Sequence, residues 1–119
     1  VAGKKGQKEN LYTGYQVKTI ATKYPNVTRH FFAGKDMDVR IVKIEGSVEL
    51  APLLGLADAI VDIVETGATL RENGLEVYED VAQISARLIV NTVSMKLYRQ
   101  RIEEIISRME AAIAKKGAE

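Results

Sequence analysis

The chain has 119 residues, 46% of them hydrophobic and 28% charged, with a formal net charge of +1; this suits one soluble globular domain and excludes a large multidomain enzyme. No apolar run reaches the roughly eighteen residues that a membrane-spanning helix needs, and no signal peptide is expected. Cys is absent, which excludes disulfide scaffolds, Cys-ligated zinc and thiol nucleophiles and makes the cytoplasm the expected location.

The chain opens at Val1 into the turn-like, Lys- and Gly-rich stretch Gly3-Lys4-Lys5-Gly6, so it reads as a piece of something longer. Residues 16–21, Gln-Val-Lys-Thr-Ile-Ala, alternate with period two and predict a strand. Pro25 suits the first turn of a helix, where its missing N–H costs nothing, and the helix continues through Val27 to Ala33 and ends at Gly34. A second strand is expected over 38–44. Ser47, followed by Glu49 and Leu50, then predicts a helix start with the helix running to Gly55. The third strand is expected over 58–64, followed by Thr66-Gly67-Ala68-Thr69 and a short helix closed at Asn73-Gly74. Two further strands are expected at 75–78 and 84–92, the second with Leu88-Ile89-Val90 buried. Finally, Ser94 is read as the cap of a long amphipathic helix whose stripe is Tyr98, Ile102, Ile105, Ile106, Met109, Ala112 and Ile113. Alternating strands and helices need crossovers, which argues for an α/β fold with a mostly parallel sheet covered by helices. The expected division is an α/β lobe over 1–93 and a C-terminal helix over 94–119 that packs on the lobe or on a partner.

Charge is segregated along this layout. Residues 1–23 hold five Lys against Glu9, whereas residues 45–80 hold nine acids against Arg71 alone. No helix gathers Lys and Arg with interleaved aromatics, so a nucleic-acid partner is not expected. The acidic stretch is either a solvated face or a set of carboxylates for a divalent cation or sugar hydroxyls.

Ligands of open α/β sheets gather at the carboxyl ends of strands, which singles out three loops. In the first, a hydrophobic strand delivers Asp62, then Glu65, and a Thr66-Gly67-Ala68-Thr69 turn opens a helix through Leu70. Gly67 allows close backbone approach, and the N–H groups and Thr hydroxyls would cradle a phosphate; the alternative is a plain helix cap. Carboxylates beside a phosphate repel it unless they face hydroxyls or a cation, which suggests a ribose phosphate with Mg2+. In the second loop, Ser47 and Glu49 either hold an anion and a hydroxyl or simply cap a helix. In the third, Lys23 could meet a phosphate and Tyr24 a base, or both are ordinary loop residues. His30 is the only histidine and has no partner for a triad or a metal site, so it reads as surface or structural.

In combination these segments resemble ATP phosphoribosyltransferase in its short form. The resemblance rests on Ala21-Thr22-Lys23-Tyr24-Pro25-Asn26-Val27-Thr28, on Gly46-Ser47-Val48-Glu49-Leu50-Ala51-Pro52 with Gly55-Leu56-Ala57-Asp58, and on Asp62 with Glu65-Thr66-Gly67-Ala68-Thr69-Leu70 and Asn73-Gly74-Leu75. It implies a single periplasmic-binding-protein-like (type II) lobe, the second of two that enclose a cleft, together with the strand and long C-terminal helix that follow it. The implied reaction is the first of histidine biosynthesis: N1 of the ATP adenine displaces pyrophosphate from C1 of phosphoribosyl pyrophosphate, with Mg2+, giving phosphoribosyl-ATP. The resemblance assigns Glu65, Thr66, Gly67, Ala68, Thr69 and Leu70 to the 5-phosphate and Asp62 or Glu65 to the ribose hydroxyls. Thr22, Lys23, Ser47 and Glu49 would line the cleft for pyrophosphate, Mg2+ or nucleotide. It also implies a complementary first lobe, a regulatory subunit resembling a histidyl-tRNA synthetase and a homo- or hetero-oligomer, with no membrane partner. The competing expectations are a non-catalytic lobe that binds an anionic metabolite, and an assembly element.

Overall fold

Alternation along the strands divides the core into two. In a computed structural model that describes residues 1–118, Ile20, Ala59 and Val61 belong to one hydrophobic cluster with Val1, Leu11, Phe32 and Tyr78. Their strand neighbours Ala21 and Ile60 belong to a second cluster with Ala2, Val48, Ala51, Leu70 and Leu75. Because successive side chains of a strand point to opposite faces, the clusters are the two sides of one sheet. Ile20, Ile60 and Phe32 are completely buried, and each such side chain contributes about 1.5–3 kcal/mol relative to exposure.

The sheet is formed by β1 (Ala2–Lys4), β2 (Lys18–Thr22), β3 (Val39–Lys43), β4 (Ala59–Val61) and β5 (Leu75–Val77) in the order β3-β2-β4-β1-β5. β2 pairs in parallel with β3 and β4, whereas β1 pairs antiparallel with both β4 and β5. Four strands therefore share one direction and β1 alone opposes them, the mostly parallel α/β sheet expected. The helices α1 (Lys8–Tyr12) and α2 (Pro25–Ala33) supply Leu11 and Phe32 to the first face. The other face receives Ala51 from α3 (Leu50–Leu53) and Leu70 from α4 (Ala68–Glu72). Asp58 locks the start of β4 to β2: its N–H donates to the Thr19 carbonyl and its Oδ2 accepts from the Thr19 N–H, both at 2.8 Å.

Several local expectations are corrected. The stretch read as a turn begins with β1, because Gly3 and Lys4 pair with Glu76 and Leu75 of β5, and only Lys5 and Gly6 turn the chain. α1 carries no strong cap signal and was not expected. β4 is three residues rather than seven, since after Val61 the backbone leaves its ladder with β2.

A cluster of charge and aromatic groups ties α1, the turn after α2 and the chain beyond β5 together. Lys35 Nζ lies 2.5 Å from Glu79 Oε1, and the Tyr12 hydroxyl donates to Glu79 Oε2 at 2.7 Å. Lys35 also lies over the Tyr12 and Phe31 rings, 5.7 and 5.3 Å from their centroids. The hydrogen bond from Lys35, then that from Tyr12, holds the Glu79 carboxyl below its ordinary value of 4.5. A lowered folded pKa means that the stabilisation is complete above the unfolded value and is lost as pH falls through the folded one. Acid unfolding should therefore steepen below about pH 4.5. Glu79→Gln is expected to flatten that limb and to cost about 1 kcal/mol at pH 7, the group being one-third exposed and partly screened. Equal pH dependence of wild type and variant in urea denaturation would contradict this.

A second compact unit begins at Ile84. Residues 84–91 form no strand, and Leu88 (54% exposed) and Ile89 (88%) are open to solvent. The β-branched run has strand propensity, but a strand exists only where a neighbour accepts its ladder, and none of the described residues does. α5 (Thr92–Leu97) follows, capped by Asn91 rather than Ser94: Asn91 Oδ1 accepts from Val93 N at 3.0 Å and Ser94 N at 3.1 Å. Tyr98, at φ −124°, interrupts the helix before α6 (Arg99–Gly117), which carries the pairs Arg99–Glu103 and Glu104–Arg108 at 2.8 and 2.9 Å. The predicted stripe from Ile102 to Ile113 lies on α6 while Tyr98 stands before it, and none of these residues is buried. No helix among the described residues is long and apolar enough to cross a membrane.

Candidate functional site

Parallel strands β3, β2 and β4 bring the loops after β3 and β4 to one edge, on either side of the end of β2. Between those loops lies a concavity of about 270 Å3 lined by Glu49 and by the continuous run Asp62 to Leu70. Its position is set by packing. Val48, completely buried, shares the second core cluster with Leu70, so the β3–α3 loop is held against α4 and Glu49 faces the Asp62–Leu70 loop.

Gly67 stands immediately before α4 with φ +76° and ψ 3°, a left-handed conformation that an L side chain adopts only at a cost. It turns the loop so that the first N–H groups of α4 follow directly. Thr66 Oγ1 accepts from Ala68 N at 3.3 Å, and Thr69 is exposed. The Leu70 side chain is buried in the core, leaving only its backbone for the concavity. Asp62 is half-buried and its Oδ1 accepts from Ile63 N at 2.9 Å; Glu65 is exposed. Asp62, Glu65, Thr66, Gly67, Ala68, Thr69, Leu70 and Glu49 are thus brought together.

The other candidates are not. Thr22 is completely buried; its hydroxyl donates to the Val61 carbonyl at 2.7 Å and accepts from Tyr24 N at 2.9 Å. Its donor and acceptor capacity is spent joining the ends of β2 and β4 to the start of α2. Lys23 follows β2 at the same edge, half-buried, but does not line the concavity. Ser47 is exposed and caps nothing: α3 starts at Leu50, Glu49 holds the cap position, and no side chain caps it. No group of three or more His, Cys, Asp or Glu residues is placed to hold a metal ion among the described residues.

One residue of this region carried no sequence-level role. Arg71, one helical turn after Gly67, folds back so that its Nη1 donates to the Thr66 carbonyl at 3.1 Å. The signal that finds it is the spacing of four, since helix side chains lean toward the N-terminus and cover the preceding turn.

Residues 1–111 match the family described as HisG: ATP phosphoribosyltransferase. The chain is 62% identical over 104 residues to an ATP phosphoribosyltransferase of Clostridium kluyveri, covering 87% of this chain and 48% of the relative. It is 59% identical to that of Clostridium novyi, covering 87% and 49%. Among solved structures, the ATP phosphoribosyl transferase (HisG:HisZ) complex from Thermotoga maritima matches with a TM-score of 0.70 and 38% identity, over 95% of this chain and 54% of that one. The chain spans about half the length of the curated relatives it matches.

Proposed function

This chain belongs to the ATP phosphoribosyltransferase family, and we propose that it forms the phosphoribosyl-pyrophosphate-binding part of an enzyme that transfers the phosphoribosyl group to N1 of ATP, releasing pyrophosphate. The observation that carries this reading is the concavity at the ends of the parallel strands, where left-handed Gly67 stands at the N–H end of α4 and carboxylates line the same space. The N–H groups suit the 5-phosphate. The carboxylates suit what a phosphate site otherwise repels: Asp62 and Glu65 accept from ribose hydroxyls, and Glu49 extends the acceptor edge.

Carboxylate oxygens are also the donors Mg2+ takes, usually one or two of them with substrate phosphates completing the shell. Asp62 and Glu49 would supply those oxygens, and a metal held there would offset charge on the departing pyrophosphate. The residues themselves hold the sugar phosphate and orient C1; displacement depends on positioning and charge stabilisation more than on a side-chain nucleophile. A complementary lobe would bring the nucleotide. A second, regulatory subunit is supported by the two-component name of the Thermotoga maritima complex.

Isothermal titration with phosphoribosyl pyrophosphate and Mg2+ tests this reading. Saturable binding is expected, weakened about tenfold in Thr66→Ala/Thr69→Ala through loss of hydroxyl bonds to a charged group. Affinity unchanged in the double variant would reject the cradle. Formation of phosphoribosyl-ATP when a relative's first lobe is supplied would separate the enzyme from a lobe that only binds an anionic metabolite.

A further inference from the structure

We infer that Arg71 is a positioning residue for the phosphate loop: its guanidinium selects the orientation of the Thr66–Gly67 peptide that presents the Gly67 N–H to an anion. This rests on the sugar-phosphate reading above and names a residue which that reading does not use. Gly67, at φ +76° and ψ 3°, has the dihedrals of the second central residue of a type II turn. Type I and type II turns differ by a flip of the central peptide, here the one joining Thr66 to Gly67. The oxygen of that peptide is the atom Arg71 Nη1 holds at 3.1 Å. Thr66 and Gly67 line the concavity and Arg71 does not, so the carbonyl is drawn toward a residue outside it. A trans peptide directs its N–H opposite to its carbonyl, which turns the Gly67 N–H the other way. The flipped peptide would instead offer an oxygen to the phosphate.

Two further observations fit this role. A Cβ on Gly67 would lie 3.0 Å from Arg71 Nη1, so the guanidinium rests directly against the loop it holds. Arg71 is also the only cation among residues 45–80. It places positive charge beside the Thr66–Gly67 peptide without lining the concavity. A planar guanidinium holds such a carbonyl with less loss of freedom than an ammonium, which is why Lys is only a partial substitute.

The test uses ribose 5-phosphate, a simple phosphomonoester, titrated into wild type, Arg71→Met and Arg71→Lys, with the Gly67 amide followed by NMR. Arg71→Met is expected to bind about tenfold more weakly at nearly unchanged Tm, and Arg71→Lys to recover part of that loss. The Gly67 amide should move on ligand addition in wild type and much less in Arg71→Met. Equal affinity and equal Gly67 response in Arg71→Met would overturn the role of Arg71 and leave the sugar-phosphate reading standing. Wild type failing to bind ribose 5-phosphate would overturn that reading and the Arg71 role with it. Should Arg71→Met not fold, Arg71→Gln carries the same comparison.

Discussion

Gly67→Val is expected to weaken binding of phosphoribosyl pyrophosphate about a hundredfold while costing about 2 kcal/mol of stability, read by isothermal titration and urea denaturation. Valine is branched at Cβ, and φ +76° is a region such side chains avoid. The loop has two ways to relax, and both remove donors. If it keeps the left-handed turn, the new Cβ lies 3.0 Å from Arg71 Nη1, and the two methyl groups beyond it crowd the guanidinium that holds the Thr66 carbonyl. If it abandons the turn, the N–H end of α4 no longer meets the concavity in the same place. Affinity falls further than in Thr66→Ala/Thr69→Ala, because backbone donors are displaced together rather than two hydroxyls deleted. Gly67→Ala keeps the same direction with a smaller effect and serves if the valine variant folds poorly. Wild-type affinity in a folded Gly67→Val protein would show that the N–H groups of this loop do not hold the phosphate.

The sequence made the central part of this fold legible because its signals are local. Period-two alternation over residues 16–21 and Pro25 at a helix start locate β2 and α2 to within two residues. The loop after β4 was equally readable: Thr66-Gly67-Ala68-Thr69 states its turn chemistry in four residues. What failed depended on partners distant in sequence. β1 consists of Ala2-Gly3-Lys4 and lacks strand propensity; it is a strand because β4 and β5 enclose it. Residues 84–91 present the converse case, with high propensity and no described neighbour. The family resemblance implies a place in the cleft for Thr22 and Ser47, but a hydroxyl is decided by what it reaches. Thr22 reaches the Val61 carbonyl, and Ser47 reaches no cap position. Arg71 shows the same limit in reverse: its helical spacing from Gly67 was visible, but its bond to the Thr66 carbonyl is a fact of the folded loop.

The position of the site also depends on β1, and Gly3→Ala is expected to cost about 3 kcal/mol of folding stability for that reason. The Gly3 backbone does not require glycine; its neighbour does. A Cβ there would fall 2.5 Å from the Tyr78 hydroxyl and 2.6 Å from its Cε2, closer than atoms approach, and the obstacle is a rigid ring rather than a flexible chain end. Tyr78 is itself fixed: it is 5% exposed within the first core cluster, its hydroxyl donates to the Lys4 carbonyl at 2.5 Å, and its N–H donates to the Val1 carbonyl at 2.8 Å. Admitting a methyl group therefore expels the ring or bends β1. Overpacking of this kind costs about 1–3 kcal/mol, and losing the hydroxyl bond adds about 1. β1 is the strand between β4 and β5, and β4 and β5 flank the loop and helix that carry Gly67, so the strain reaches the site through the sheet. A double-mutant cycle isolates the cause. Tyr78→Ala alone should destabilise strongly by emptying the core, but adding Gly3→Ala to it should cost less than about 1 kcal/mol, because the ring that forbids the methyl is gone. Additive losses in urea denaturation would place the intolerance of Gly3 in the backbone of β1 and reject the ring contact as its cause.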